Sequence, residues 1–373
     1  MPATRRPIDR FYSVIPAGGV GSRLWPLSRA DAPKFLHDLT GSGQTLLRDT
    51  WDRLVPVSGE QRIMVVTGRA HRAAVEKQLP ELADRNVVLE SEGRDSTAAI
   101  CLAAAILERR EPGVIIGSFA ADHVIPDTEL FAEAVSEAAL AADAGYIVTI
   151  GIRPTEPAIG FGYIQASAAL AIEGAPSALT VEKFVEKPTL VVAKKYLESG
   201  EFLWNAGMFI ARADRLLEEL GRSEPALLAG IQELAAAWDT PERGAVVDRV
   251  WPNLKKIAID YSVAEPAARA GALAVIPGRF RWDDIGDFAS VRKMQSGGRA
   301  SDLVILGEDA RILSDASSGI VVSQSKRVIS LIGVKNIVVV DTPDALLVTT
   351  TANAQRVKSV VDALKLSGGD DVL

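Results

Sequence analysis

The first 145 residues alternate short β-rich runs with Ala-rich stretches of helix length, and no other feature restricts the possible folds as strongly. FYSVIPA is followed by QTLLRDTWDRLV, RIMVVTG by HRAAVEKQL, NVVLES by STAAICLAAAILERR, and VIIGSFAAD by LFAEAVSEAALAADA. Strand-length runs bounded by Gly, Asp or Ser and separated by helical segments are the pattern of βαβ units, so this half predicts a doubly wound α/β domain on a mostly parallel sheet. From about residue 146 the rhythm loosens into YIVTIGI, FGYIQA, VEKFVEKP and WNAGMFIA, with helical stretches near 189–199 and 213–238. Such a segment extends the sheet and covers the edge at which ligands of open α/β sheets bind.

A Gly/Ser/Lys-rich junction at 290–302 precedes a different texture: LVILG, GIVVSQ, VISLIG, NIVVVD and ALLVTT, closed by AQRVKSVVDALKL. We read two domains, 1–297 and 298–373, the second a small β module. No fixed-period repeat is visible, so a β-helix is one option for its form, and its flat apolar faces lead us to expect a homodimer.

Charge narrows the partners. Forty-one basic against 48 acidic side chains leave a net charge of −7, which argues against a general nucleic-acid or anionic-membrane binder and makes any anion site local. Cys101, the only cysteine, lies within AAICLAAAIL, so no disulfide can form within the chain. The opening MPATRRPIDRFYS lacks the apolar stretch of a secretory signal, and no run reaches the length of a membrane span; a cytoplasmic protein is expected.

The local anion site is predicted in VIPAGGVGSRLWPLSRADAPKFL, residues 14–36. Gly18, Gly19 and Gly21, flanked by Ala17 and Ser22, can aim backbone N–H groups at a phosphate. The turn lacks the GK[ST] of a P-loop, and Leu24 stands where a dinucleotide fingerprint has its third glycine. Pro26 and Pro33 disfavour a helix directly after it, so Arg23 and Lys34 are expected on an extended loop able to fold over a polyphosphate. A glycine turn with solvated cations accounts for these residues equally well.

Elsewhere, Asp122 closes an apolar strand, the position of a carboxylate facing the ligand crevice and suited to Mg²⁺, or of a helix cap; His123 reads as an ordinary loop residue. Strand alternation places Glu182, Phe184 and Glu186 on one face and Lys183, Val185 and Lys187 on the other. Gly162 and Asn205 fit a bulge or turn, or a contact in which a missing side chain and an amide meet a ligand. Asp95 or Ser96 is expected to cap a helix buried nearly all round. Asp283, Asp284 and Asp287 around Gly286 read, without context, as a solvated turn.

AGGVGSRLWPLSRADAPKFL resembles the N-terminal signature of sugar-nucleotide pyrophosphorylases, and in its RLWPLSR form that of the bacterial mannose-1-phosphate guanylyltransferase family. EGRDSTAAI, AADHVI, FGYIQ, FVEKP, WNAGMF, IDYSVAE and WDDIGDF follow in that family's order, and GVKNIVVVDTPDALLVTT resembles its C-terminal segment. The resemblance implies a Rossmann-like, doubly wound mixed sheet of the GT-A-like nucleotidyltransferase type, with a small C-terminal β module for which a short left-handed β-helix is one form. It implies transfer of GMP from GTP to mannose 1-phosphate, with Mg²⁺ as cofactor. By the same resemblance Arg23 and Lys34 serve the triphosphate, and Asp122 and Asp284 hold the metal, Asp283 being a weaker candidate. Lys187 holds the sugar phosphate, Glu186, Gly162 and Asn205 contact the sugar, and Gly93, Arg94 and Asp95 contact the nucleotide. Asp95 replaces the family's usual Asn, and Ala98 its Pro, which leaves base preference open at this loop. Longer relatives carry a phosphomannose isomerase domain that has no counterpart here, so a monofunctional enzyme is expected. Another sugar-1-phosphate nucleotidyltransferase, or a silent nucleotide-sugar-binding homologue, remains the alternative reading.

Overall fold

The computed structural model describes residues 7–299, 301–307 and 310–373. Its main sheet is laid down by β1 (Phe11–Ala17), β2 (Ile63–Gly68), β3 (Val87–Glu90), β4 (Ile115–Ser118), β5 (Ile147–Ile152), β6 (Tyr163–Ala169), β7 (Leu179–Val185), β8 (Phe202–Arg212) and β9 (Leu273–Gly278). The spatial order is β3-β2-β1-β4-β8-β5-β9-β7-β6. The first four strands are parallel, as βαβ crossovers require, and β8 enters antiparallel between β4 and β5. The sheet is therefore mixed, and the strand order reverses between β1 and β4, opening a crevice at their C-terminal ends.

Helices α1 (Leu46–Ser58), α2 (Arg72–Gln78), α3 (Asp95–Arg110) and α4 (Thr128–Asp143) make the crossovers of this half. α5 (Leu190–Ser199), α6 (Ala213–Ser223), α7 (Pro225–Ala237), α8 (Arg243–Val250) and α9 (Glu265–Arg269) belong to the second half. Pro225 splits the single stretch expected over 213–238 into α6 and α7, because proline starts a helix readily and interrupts one. One apolar layer joins Phe11, Trp51, Phe131 and Ile150; the opposite layer joins α3, α6 and α7 through Ile100, Leu216 and Ile231. α3 is buried from Thr97 to Leu107, which is why its sequence shows no polar face.

Past α10 (Phe288–Gln295), β10 (Leu303–Leu306), β12 (Gly319–Ser323), β14 (Ile337–Asp341) and β15 (Leu346–Thr350) form one small sheet, while β11 (Arg311–Asp315) and β13 (Val328–Ile332) form another. Strands alternate between the two sheets and pair in parallel across successive coils until β15 turns back antiparallel. Gly319 has φ +139°, and a Cβ there would strike the Ile337 carbonyl, so coil spacing demands glycine. The closing helix α11 (Val357–Ser367) packs against the turn that begins at Ser22. No helix is long and apolar enough to cross a membrane among the described residues.

The loop after β1 is seated on these coils. Leu24, Trp25, Leu27 and Leu39 share an apolar cluster with Phe288, Ile320, Val338 and Val361. Trp25 Nε1 donates to the Val372 carbonyl at 2.7 Å, and Arg29 pairs with Asp344 at 2.7 Å. Trp25→Ala removes a large buried side chain and that hydrogen bond; it should lower unfolding free energy by about 3 kcal/mol, read as a fall in the urea midpoint at unchanged slope.

Candidate active site

The glycine turn leaves β1 at Ala17, whose carbonyl accepts from Thr67 Oγ1 at 2.7 Å. Gly18 and Gly19 are exposed at the crevice, and Gly21 has φ +76°, in the left-handed region. A Cβ at Gly21 would lie 2.6 Å from Lys34 Cβ, so glycine is required both by conformation and by that side chain. Ser22–Leu24 form one 3₁₀ turn and Lys34–Leu36 another. Arg23 is exposed and has no hydrogen bond or ion pair among the described residues.

Lys34 departs from the expectation of an extended loop free to fold over a ligand: it is 6% exposed and packed behind the turn. Its ammonium lies 2.8 Å from Asp122 Oδ2 and donates to the Asp284 carbonyl. Two backbone hydrogen bonds between Val124 and Asp283 clamp the same two loops together. Burial would push the Asp122 carboxyl up, but Lys34, together with His123 and a backbone N–H, holds it below its ordinary value. The Asp284 carboxyl is pushed up to about 6, by burial first, with Asp283 and Asp122 adding to it and Lys34 opposing. Asp283 accepts from the Ile285 N–H at 2.7 Å, and Asp287 caps α10 through the N–H groups of Ala289 and Ser290; both carboxylates shape the turn. His123 is held neutral by burial, its pKa lowered to about 4, and stands edge-on to Trp282.

The second carboxylate cluster lies where β7, β8 and the segment before α9 meet. A bulge at Glu182 breaks the expected alternation: Gln165 faces Lys183 while Ala166 faces Val181, so Val181 and Phe184 are buried and Glu182 is exposed. Glu186 has a side chain only 6% exposed, with Oε1 2.8 Å from Lys187 Nζ and Oε2 buried without a partner. At Gly162 a Cβ would lie 2.5 Å from Glu186 Oε2, so the missing side chain also leaves room for that carboxylate. Lys187 has φ +47°, an uncommon conformation ahead of a proline and one that costs on the order of 1–2 kcal/mol. Asn205 opens a bulge that Gly207 completes at φ +67°. Its Oδ1 accepts from Thr149 Oγ1 at 2.8 Å and from the Gly207 N–H, and its Nδ2 donates to Asp260 Oδ1 at 2.8 Å. Trp204 and Phe209 are core, as expected.

The loop before α3 differs most from expectation. Arg94 commits its guanidinium to Glu92 and to the carbonyls of Pro252 and Leu254, anchoring the loop. Neither Asp95 nor Ser96 caps the helix in the usual way: Asp95 takes φ +64° and accepts from the Ser96 N–H at 2.8 Å, while Ser96 Oγ accepts from the Ile259 N–H at 2.9 Å. Asp and Asn are the residues that best tolerate this left-handed position, so the exchange of Asn for Asp95 keeps the backbone. Gly93 is exposed, with open space around its Cα.

Sequence reasoning missed Glu90 and Asp260. Glu90 ends β3, its Oε2 is 3.4 Å from where a Gly18 Cβ would be, and Oε1 is buried without a partner. Burial alone pushes its carboxyl up to about 7. A charged residue closing a strand at the sheet's C-terminal edge is the signal that singled out Asp122, and it was equally present in NVVLES.

With this geometry in view, residues 12–299 match the nucleotidyl transferase family model, and residues 310–364 match that of the MannoseP isomerase/GMP-like beta-helix domain. The mannose-1-phosphate guanylyltransferase of Escherichia coli strain K12 is 37% identical over 365 residues, covering 96% of this chain and 74% of that protein. The chain belongs to the nucleotidyl transferase family, in its mannose-1-phosphate guanylyltransferase branch. The xanthan biosynthesis protein XanB of Xanthomonas campestris is likewise 37% identical, over 95% of this chain and 73% of its own length. A Thermus thermophilus crystal structure, described as a mannose-1-phosphate geranyltransferase, superposes with a TM-score of 0.84 at 31% identity, covering 95% of this chain and 99% of the other. The nucleotidyl transferase sheet and the β-helix coils thus account for both structural expectations.

Glu90 makes a pH signature. In the unfolded chain it ionises near 4.5, whereas folded it holds its proton to about 7, so the folded state loses stability as pH rises between these values. Glu90→Gln should therefore gain about 3 kcal/mol on wild type between pH 4 and pH 8, read from urea unfolding at both.

Proposed function

We propose that this chain transfers the GMP moiety of GTP to mannose 1-phosphate, releasing pyrophosphate. The observation that carries the reading is the convergence of Lys34, Asp122 and the Asp284 loop beside the glycine turn. A non-bridging oxygen of the sugar phosphate forms the new bond to the α-phosphorus, and the bond to the bridging oxygen of the β-phosphate breaks opposite to it, that oxygen leaving on pyrophosphate with the electron pair. The nucleophile is already an anion, so the protein need not remove a proton; it must position two mutually repelling groups and neutralise them.

The glycine-turn amides and Arg23 serve the triphosphate, Arg23 having no competing partner among the described residues. Lys187 receives the sugar phosphate and Glu186 a sugar hydroxyl. Glu90 accepts from the N1–H and N2 amino groups of guanine, donors that would complete its unpartnered carboxylate and lower its pKa. Asp122 and Asp284 offer hard oxygens, and no set of three or more His, Cys, Asp or Glu groups forms a metal cage among the described residues; this donor set suits Mg²⁺, which keeps its waters and shares phosphate oxygens. Bound there, Mg²⁺ supplies neutralisation of phosphate charge.

We further propose that the boundary near 297 separates the catalytic unit from a module that pairs two copies, with exposed Leu313, Val328 and Ile332 supporting association. GTP-dependent synthesis and a buried, lone Cys101 fit a cytoplasmic setting. A monomer by light scattering at micromolar concentration would remove the dimer.

Purified protein with GTP, mannose 1-phosphate and Mg²⁺ should release pyrophosphate, and Asp122→Ala should abolish that turnover. Lys187→Ala should raise KM for the sugar phosphate about tenfold or more while sparing GTP, and Glu90→Gln should do the reverse. No release from the wild-type protein with any sugar 1-phosphate overturns the reading.

A further inference from the structure

The sugar side of the site holds one carboxylate more than its expected contacts use. Asp260 opens a π-helical turn, Asp260–Ala264, an uncommon element that recurs at functional sites. The start of α3 anchors this turn. Thr97 Oγ1 and Ser262 Oγ are 2.7 Å apart, and the Thr97 N–H donates to the Ile257 carbonyl at 3.3 Å. The loop assigned to the nucleotide and the turn carrying Asp260 are therefore one mechanical unit.

Asn205 sets the direction of the Asp260 carboxylate. Because Thr149 and the Gly207 N–H both donate to Asn205 Oδ1, the amide nitrogen is turned to Asp260 and donates at 2.8 Å. Asn205 has thus spent its acceptor oxygen within the protein and has at most one amide hydrogen left for a ligand. Burial, and after it the nearby Glu186, raise the Asp260 carboxyl well above its ordinary range. Two carboxylates face one ammonium, that of Lys187, and Glu186 Oε2 has no donor at all. Unsatisfied buried acceptors are costly, and they persist where the missing donors arrive with a ligand. A sugar brings several neutral O–H donors on adjacent carbons, whereas a phosphate would be repelled.

We propose that Asp260 is a second carboxylate of the sugar subsite: with Glu186 it accepts hydrogen bonds from hydroxyls of the incoming sugar phosphate, while Asn205 positions it and does not itself bind the sugar. The proposal rests on the sugar-1-phosphate reading of this site.

Wild-type turnover with mannose 1-phosphate is measured first, then Asp260→Asn under the same conditions. The variant should raise KM for mannose 1-phosphate about tenfold or more, with KM for GTP within about twofold. Among 2-deoxy, 3-deoxy and 4-deoxy mannose 1-phosphates, one should cost the wild type about tenfold in kcat/KM and the variant less than about threefold. Asn205→Ala should raise the same sugar KM less than Asp260→Asn does. A lower thermal midpoint and kcat with both KM values unchanged would show a purely structural tie and overturn the proposal alone. So would equal penalties on every deoxy sugar in variant and wild type. Absence of wild-type turnover overturns the underlying reading and the proposal with it. If Asp260→Asn does not fold, Asp260→Ser carries the same comparison.

Discussion

The candidate active cleft is organised around one buried ammonium. Lys34 Nζ holds the Asp122 carboxylate at 2.8 Å and the backbone of Asp284, joining loops that lie far apart in sequence. Taking a charge out of water costs several kcal/mol, which such a pair recovers only with close geometry and further hydrogen bonds. Here the Val124–Asp283 bridge and the Asp283 turn supply those constraints, fixing the Asp122 carboxylate and the Asp284 backbone relative to one another. The Gly21 backbone yields to the Lys34 side chain; the glycine turn and the lysine have a single joint solution.

Support for that joint solution comes from the opposite end of the chain. The segment between Leu24 and Leu39 has no regular secondary structure beyond isolated turns and cannot bury itself; it gains its apolar contacts from Phe288, Ile320, Val338 and α11. Burial of such side chains is worth about 1.5–3 kcal/mol each, sufficient to rigidify a loop that carries Lys34. The coils act as a buttress for the cleft whatever their part in association.

Much of this was legible in the residues. Alternating runs dictated the strand–helix order through α4, and the all-round apolar character of α3 dictated its burial. Asp122 was found because an apolar strand run leads to it, although β4 itself ends at Ser118. Contacts between distant segments were not legible: nothing in DAPKFL shows that Lys34 turns inward, and nothing in EGRDS shows that Arg94 is taken by the Pro252 and Leu254 carbonyls. Local rules could not show the demand that Glu186 makes on the space beside Gly162, since Glu186 belongs to another strand's end. Glu90 escaped notice although its position obeyed the rule applied to Asp122.

The Trp25–Val372 hydrogen bond has a consequence for biogenesis. During synthesis on the ribosome the Rossmann-like sheet can assemble while later codons are still being read, but the indole lacks its hydrogen-bond partner until Val372, 347 residues further on, has left the exit tunnel. The segment that carries the glycine turn therefore completes its anchoring long after it is translated, and a nascent product cut short of Val372 carries an unfinished cleft.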